Sequence, residues 1–270
     1  MIQATQRDAV ADQGLAHQAL VNQVRDYWNE RIHDLEVTTS PVGSPQFFQE
    51  LADYRFEKLH YLPRLVNFDG FPQKRLLEIG CGVGTDLVRF ARGGAQVTGI
   101  DLSWRAIELA QQNFAQAGLP ATLQVMDGER LQFEDNSFAV VYAHGVLQYT
   151  ADAGQMIREI FRVLQPGGRA ILMVYNRYSW LMFLSKVAGV RLEHDDAPVF
   201  RLFSRSQFRQ LLAPFTGVEI IPERFPVRSR LQQGTTAAFF NHAFVPLFNV
   251  LPAALVRPTG WHLMAFASKV

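Results

Sequence analysis

Three glycines and two acidic residues stand close together in one short stretch of the sequence. Gly80, Gly82 and Gly84 alternate after Glu78, and Asp101 follows further along the chain. Glycine has no Cβ and accepts positive φ, so such a turn lets the backbone approach a ligand closely. A carboxylate beside the turn would repel a pyrophosphate, whereas it would attract an ammonium or a sulfonium. The stretch therefore predicts a site for a cationic nucleoside.

The elements around these residues follow from the apolar pattern. Residues 76–79 are apolar except for Glu78 and predict a buried parallel strand, and a helix is predicted from the turn to Arg92. A second strand, 95–100, ends on Asp101. This order is typical of the opening unit of a doubly wound sheet. The spacing G-x-G-x-G differs from the G-x-G-x-x-G of dinucleotide sites.

Residues 76–103 resemble motif I and its sequel in class I S-adenosylmethionine-dependent methyltransferases. The resemblance is to the small-molecule branch, similar to the ubiquinone and menaquinone methyltransferases. It implies S-adenosyl-L-methionine as the cofactor and S-adenosyl-L-homocysteine as the product. It also implies a Rossmann-like, doubly wound α/β fold with a seven-stranded sheet whose last strand is antiparallel. N-terminal helices and a C-terminal cap insertion would complete the chain.

Ligands of open α/β sheets bind outside the carboxyl ends of the strands, so residues there are the candidates. Asp101 can accept both ribose hydroxyls. By resemblance, Asp127 accepts from the adenine amino group and Glu78 engages the methionine ammonium; for Asp127, simple solvation at the surface stays an alternative. The predicted cofactor-binding residues are Glu78, Gly80, Cys81, Gly82, Thr85, Asp101, Leu102, Asp127, Gly128, Glu129 and His144.

His144 follows the fourth predicted strand and has two readings: a general base, or a ring that packs and hydrogen-bonds without moving a proton. Histidines common in the family at this region are replaced by Gln148 and Tyr149, so their substrate contact is not carried over. Candidate substrate contacts are Trp28, Tyr149, Tyr175, His194 and His242. No cysteine and histidine spacing suggests zinc, and no metal site is predicted.

Three segments are expected within the chain. Residues 1–70 form an N-terminal helical cap, 71–175 form the cofactor-binding core, and 176–270 hold cap insertions and two closing antiparallel strands. In the last segment, 228–260 is rich in phenylalanine and is predicted to be the inserted cap. The cap's aromatic side chains would either line the acceptor pocket or only hold the cap on the sheet.

Composition and charge restrict the partners. The net charge is +1 and no Lys/Arg run occurs, which gives no electrostatic basis for nucleic-acid binding. The one cysteine, Cys81, fits a reducing, cytoplasmic location. The uncharged stretch 236–256 contains two prolines and is not expected to span a membrane. Residues 176–270 hold 11 basic and 5 acidic residues, so peripheral membrane contact or an anionic substrate group stays open.

The resemblance implies transfer of the S-adenosylmethionine methyl group to an oxygen, nitrogen or carbon nucleophile. The aromatic candidates favour a hydrophobic or aromatic small molecule as acceptor. A sulfonium is already an activated methyl donor, so the absence of an obvious catalytic dyad does not argue against an enzyme. The alternative is a non-catalytic subunit or regulator that binds the cofactor only. The oligomeric state is not predicted.

Overall fold

The computed structural model describes residues 2–32, 35–227, 238 and 240–270. Its helices and strands follow in the order α1 Ile2–Glu30, α2 Pro45–Lys58, α3 Leu62–Leu65, β1 Arg75–Ile79, α4 Thr85–Arg92, β2 Gln96–Asp101, α5 Trp104–Ala117, β3 Thr122–Val125, β4 Phe138–His144, α6 Ala153–Val163, β5 Leu164–Tyr175, α7 Trp180–Ala188, α8 Arg205–Leu211, β6 Thr216–Glu223, α9 Val245–Val250, α10 Ala253–Val256 and β7 His262–Ser268. A π-helical turn, Phe240–Phe244, leads into α9.

The strands form one seven-stranded sheet in the order β3-β2-β1-β4-β5-β7-β6. The pairs among β3, β2, β1, β4 and β5 are parallel, and β7 pairs antiparallel with both β5 and β6. The predicted sheet and its closing antiparallel pair are confirmed. The strand order reverses between β1 and β4, and this switch point is where such sheets bind ligands.

Alternate residues of each strand pack on opposite faces of the sheet, because the side-chain period of a strand is two. In β1, Leu77 and Ile79 join a cluster with Ile157 of α6, whereas Leu76 packs in a second cluster with Phe90 of α4. Both faces are thus covered by helices. This double cover explains why the central strands are nearly continuous apolar runs in the sequence.

Local sequence also sets where the helices begin after the strands. Ser103 Oγ accepts a hydrogen bond from the backbone N–H of Ala106 at 3.2 Å and caps α5, which ends at Gly118 with φ of +65°. Because α5 begins directly after β2, Asp101 stays at the sheet edge. Its position at the end of β2 agrees with the prediction.

Two predicted boundaries are corrected. The residues Gln-Pro-Gly-Gly at 165–168 are typical of a turn, but they lie inside a continuous β5, with Gly167 at φ of +75° and an irregular register against β4. The sequence of 46–65 predicts one continuous helix, whereas the structure divides it into α2 and α3. Of the predicted cap, residues 228–237 and 239 lie outside the described residues. In the part of the chain that is described, no helix is long and apolar enough to cross a membrane.

Candidate active site

One cavity of about 230 Å³ opens at the carboxyl ends of β1, β2 and β4. Every residue predicted from the sequence to bind the cofactor lines it. Three of the five predicted substrate contacts, Trp28, Tyr149 and Tyr175, line the same cavity. The parallel strands bring together residues that lie far apart in the chain, because their carboxyl ends meet at one edge.

The glycine turn forms one wall of the cavity. Gly80 and Gly82 have φ of +67° and +53°, a region that favours glycine. A Cβ on Gly80 would lie 2.4 Å from Cγ2 of Val146, so this position has no room for a side chain. A Cβ on Gly82 would meet no protein atom within 4 Å. Gly82 therefore presents bare backbone to open space beside the cavity.

Asp101 is held by the backbone around it. Its Oδ2 accepts from the N–H of Gly82 and its Oδ1 from the N–H of Ser103, both at 2.9 Å. Burial raises the pKa of Asp101, against the opposing effect of these hydrogen bonds. Each carboxylate oxygen has a second lone pair, so the group can still accept two hydroxyls. This arrangement fits a ribose.

Glu78 is a buried carboxylate with one unsatisfied oxygen. Its side chain is 4% exposed, and Oε2 has no hydrogen-bond partner among the described residues. Burial, and then the charge of Asp86, raise the pKa of Glu78 well above its ordinary value. An unpaired buried carboxylate is costly unless a cation or donor reaches it. The site therefore fits the ammonium group of S-adenosylmethionine.

The loop after β3 supplies the next acidic pair. Asp127 Oδ1 accepts from the N–H of Glu129 at 2.9 Å, and Glu129 Oε1 accepts from the N–H of Asp152 at 3.0 Å. Glu129 Oε2 lies 3.1 Å from Nε2 of His17, without hydrogen-bond geometry. Asp127 keeps one carboxylate oxygen outside these bonds, which could accept from an adenine amino group.

An ion pair that the sequence analysis missed lies beside His144. Arg55 of α2 donates from Nε to Oδ1 of Asp86 at 2.6 Å and from Nη2 to Oδ2, and the Tyr142 hydroxyl donates to Oδ2 at 2.7 Å. Burial opposes ionisation of Asp86, but the Arg55 guanidinium outweighs it and holds the pKa of Asp86 below its ordinary value. This ion pair connects α2 to α4 at the wall of the cavity.

From His144 a line of polar side chains runs to the end of β6. The hydroxyl of Tyr61 lies 2.9 Å from Nε2 of His144 and 2.5 Å from Nδ1 of His262, and Nη1 of Arg224 lies 3.1 Å from Nε2 of His262. Burial and the Arg55 guanidinium lower the pKa of His144 to about 3. The ring is therefore neutral at physiological pH.

Aromatic rings line another part of the cavity, which we call the aromatic half. The ring centroids of Trp28 and Tyr149 are 5.1 Å apart, and those of Tyr149 and Tyr175 are 6.1 Å apart. His194 packs against Trp28 at 4.7 Å but does not border the cavity. Residues of this half are Trp28, Lys58, Tyr149, Tyr175, Glu193, Arg224 and His262.

His242 is placed differently from the prediction. It is exposed on the π-helical turn, and it does not line the cavity. Phe240 and Phe244 of the same turn pack against Trp180 at centroid distances of 6.0 and 6.1 Å. This packing turns the apolar side of the segment inward and leaves His242 outside. Residues 238 and 240–260 supply no lining residue; α1 and α2 cover the cavity instead.

A family model described as a methyltransferase domain matches residues 77–172, from β1 into β5. The sheet order, the glycine turn and this match agree. The chain therefore contains a class I S-adenosylmethionine-dependent methyltransferase domain, and S-adenosylmethionine is the cofactor of that family.

Relatives act on varied molecules. The chain is 33% identical to sterol 24-C-methyltransferase ERG6A of Gibberella zeae over 159 residues, 57% of this chain and 38% of that protein. It is 30% identical to the ubiquinone biosynthesis O-methyltransferase of Pseudomonas fluorescens Pf0-1 over 131 residues, 48% of this chain and 55% of that protein. The match thus spans about half, or less, of the length of these relatives.

A solved structure resembles nearly the whole chain. Geranyl diphosphate C-methyltransferase from Streptomyces coelicolor A3(2), solved with Mg²⁺, geranyl diphosphate and S-adenosyl-L-homocysteine, gives a TM-score of 0.62 at 17% identity. The likeness covers 93% of this chain and 98% of that one. At this identity it establishes the fold alone.

Proposed function

We propose that the protein transfers the methyl group of S-adenosylmethionine to an oxygen, nitrogen or carbon nucleophile of a hydrophobic or aromatic small molecule. The observation that carries the proposal is the single cavity shared by the carboxylates of the glycine turn and the aromatic half. A cofactor bound by these carboxylates and an acceptor bound by the aromatic half would lie in the same cavity, shielded from water. Pockets with apolar walls and few polar groups are typical of small-molecule sites.

In this proposal Glu78, Asp101 and Asp127 bind the ammonium, ribose and adenine of the cofactor. When bound, the cofactor supplies a methyl group already activated by its sulfonium charge. The protein then needs to align the acceptor and exclude water. Trp28 and Tyr149 would hold the acceptor by its apolar surface.

We assign His144 a hydrogen-bonding role and not that of a general base. Arg55, His144, Tyr61, His262 and Arg224 meet in four successive contacts, the longest being the 3.4 Å between Nη2 of Arg55 and Nδ1 of His144. Each of the five groups donates one hydrogen along this line, but there are only four contacts. One contact must therefore have a donor on both sides, and the longest contact, between Arg55 and His144, is the one that fits this arrangement. Nε2 of His144 then accepts from Tyr61. The basic nitrogen is occupied, and its pKa of about 3 makes it a weak base.

The experiment compares binding and turnover. Calorimetry is expected to show binding of S-adenosylmethionine and S-adenosylhomocysteine and none of NAD. Release of S-adenosylhomocysteine is then measured with organic-phase and aqueous cell extracts, and the organic phase is expected to support turnover. Tight cofactor binding without turnover on any extract would favour the non-catalytic subunit instead.

A second proposal concerns membrane contact by α7, α9 and α10. Large apolar side chains are exposed there, and ring contacts of Trp180 hold α7 against the turn before α9. The exposed residues are Tyr178, Phe183, Val187, Leu247, Val250, Leu251 and Leu255. Residues 176–270 also carry 11 basic against 5 acidic residues, which complements anionic lipid headgroups. This surface would dock on an anionic bilayer that holds hydrophobic acceptors.

Vesicle flotation tests the docking surface. Vesicles of phosphatidylcholine with phosphatidylglycerol are expected to carry the protein, and vesicles of phosphatidylcholine alone to carry less. Val250→Ser removes a valine that is 77% exposed within the surface, and Val42→Ser is the matched control at a 59% exposed valine elsewhere. Equal flotation of the two variants would count against the surface.

The cell compartment and segment boundaries stay proposals too. Cys81 is a buried free cysteine, in keeping with a cytoplasmic, reducing location. We propose that 1–70 is a helical cap on the 71–175 core, and that 176–270 supplies cap insertions together with the two closing strands of the same domain. Limited proteolysis with and without S-adenosylhomocysteine would test this division, because ligand should protect the α1–α2 cover.

A further inference from the structure

The aromatic half holds two cations against one carboxylate oxygen. Nζ of Lys58 lies 2.9 Å from Oε1 of Glu193, and Nη2 of Arg224 donates to the same oxygen at 3.0 Å. The side chains of Lys58 and Arg224 are 13% and 14% exposed, whereas Glu193 is 37% exposed. The cations thus belong to the buried wall, and the carboxylate belongs to the chain between α7 and α8 that covers it.

Arg224 lines the cavity, and its backbone has an unusual conformation. Its φ of +58° lies in the left-handed region, which is uncommon for a residue with a Cβ and recurs at functional sites. The backbone carbonyl accepts from Nε1 of Trp180 at 2.8 Å and from the N–H of Trp261 at 3.3 Å. The side chain of Trp180 and the backbone of Trp261 therefore both stabilise this conformation. The guanidinium contacts Glu193 and His262.

The charged side chains at this corner of the cavity form two groups. Arg55 lies with Asp86 and is also influenced by Glu78, whereas Lys58 and Arg224 share Glu193. Asp86 accepts hydrogen bonds from both Nε and Nη2 of Arg55. Burial lowers the pKa of His262 well below its ordinary value, with Arg224 acting in the same direction, so this ring adds no charge. Among the described residues, Glu193 therefore supplies the acidic oxygen on which Lys58 and Arg224 converge beside the apolar rings.

We propose that Arg224 and Lys58 bind an acidic group, a carboxylate or a phosphate, on the methyl acceptor. Glu193 occupies this position in the free protein and is displaced when the acceptor binds. The acceptor is thus an amphipathic anion, with its apolar part on Trp28 and Tyr149. This inference rests on the proposed methyl transfer and names its substrate class.

Calorimetry on the protein saturated with S-adenosylhomocysteine tests the inference. The probes are decanoate, decyl phosphate and the neutral ester methyl decanoate. At least one acid is expected to bind about tenfold more tightly than the ester, which corresponds to about 1.4 kcal/mol. Decanoate and decyl phosphate separate the carboxylate and phosphate versions. Equal binding of all three probes would overturn the inference.

Variants locate the effect. Arg224→Gln and Lys58→Gln are each expected to weaken the acid about tenfold and to leave the ester and S-adenosylhomocysteine unchanged. Glu193→Gln removes the competing carboxylate from a half-exposed position, so the acid should bind more tightly. Arg64→Gln is the matched control, because Arg64 is 62% exposed and pairs with Glu223. Thermal melting verifies that each variant is folded.

Two results would contradict the assignment. If Arg224→Gln weakens S-adenosylhomocysteine as much as the acid, the cation serves the cofactor. If Glu193→Gln weakens the acid, the loop carboxylate is not a stand-in. Failure of the proposed function is a separate result: no cofactor binding and no methylated product with any acceptor. Methylation of neutral acceptors alone, unchanged in Arg224→Gln, would retain methyl transfer and reject the acidic acceptor.

Discussion

Replacing Glu78 by glutamine separates cofactor binding from stability. The substitution keeps the shape of the side chain, removes its charge and replaces one carboxylate oxygen by an amide NH2. In the free protein Oε2 is buried without a hydrogen-bond partner among the described residues, and the effect of burial on its pKa exceeds the opposing effect of Arg55. We expect the variant to bind S-adenosylhomocysteine more weakly while the free protein becomes more stable at neutral pH.

The binding loss follows from one charged hydrogen bond. A hydrogen bond to a charged group contributes about 1.5–3 kcal/mol, which corresponds to a dissociation constant about 10 to 150 times higher. Because burial raises the pKa of Glu78, protonation of the carboxyl competes with binding of the ammonium. The affinity of the wild-type protein should therefore fall as the pH is lowered, and that of Glu78→Gln should fall less.

The sign of the stability change is opposite. A carboxyl whose pKa is higher in the folded state binds more protons when folded, so folding stability falls as pH rises from the ordinary glutamate pKa through the raised value. Glutamine cannot ionise, so the variant does not lose folding stability as the pH rises through this range. The free Glu78→Gln protein should melt at a higher temperature than wild type at neutral pH, and the two should converge near pH 4.

Calorimetry and thermal melting over a pH series measure both effects. Glu219→Gln, on the exposed side of β6, is the control and should change neither quantity. Unchanged cofactor affinity together with a lower melting temperature for Glu78→Gln would show that the carboxylate has a structural role. That pair of results would refute the assignment of Glu78 to the ammonium.

Asp101→Ala removes the proposed ribose acceptor, and calorimetry should show S-adenosylhomocysteine bound about 10 to 100 times more weakly; unchanged affinity would contradict the role. Gly80→Ala should unfold the protein at lower temperature because its Cβ would clash with Val146, whereas Gly82→Ala, facing open space, should lower cofactor affinity more than the melting temperature; the reverse order would contradict this reading of the turn. Burial lowers the pKa of His144 to about 3, so its contribution to stability is complete above pH 6.5 and is lost by up to about 1.4 kcal/mol per pH unit on acidification. Melting temperatures from pH 7.5 to 5 should therefore depend on pH less in His144→Gln than in wild type, with the exposed His60→Gln as control.

The meeting of the glycine turn and the acidic residues at one edge of the sheet could be predicted because its signals are local. Gly80, Gly82 and Glu78 lie within one strand and turn, and Asp101 ends the next apolar run. A parallel sheet then brings such strand ends to one edge without further information. The closing antiparallel pair was predicted from the resemblance, since its own pattern is weak.

The aromatic half could be predicted only in part. The sequence indicates Trp28 and Tyr149 because they are large aromatic residues, but Lys58 of α2 and Arg224 after β6 meet only in the folded chain. Nothing near either residue in the sequence indicates that they share a carboxylate. The left-handed backbone of Arg224 depends on contacts of Trp180 and Trp261, which are likewise remote in sequence.

The most direct test of the central claim is transfer of a labelled methyl group. The protein is incubated with S-adenosylmethionine carrying a deuterated methyl and with an organic-phase cell extract, and the extract is then searched by mass spectrometry. We expect a labelled small molecule and an equal amount of S-adenosylhomocysteine, both strongly reduced in Asp101→Ala. If the protein binds the cofactor tightly but labels no molecule in any extract, it does not act as the methyltransferase proposed.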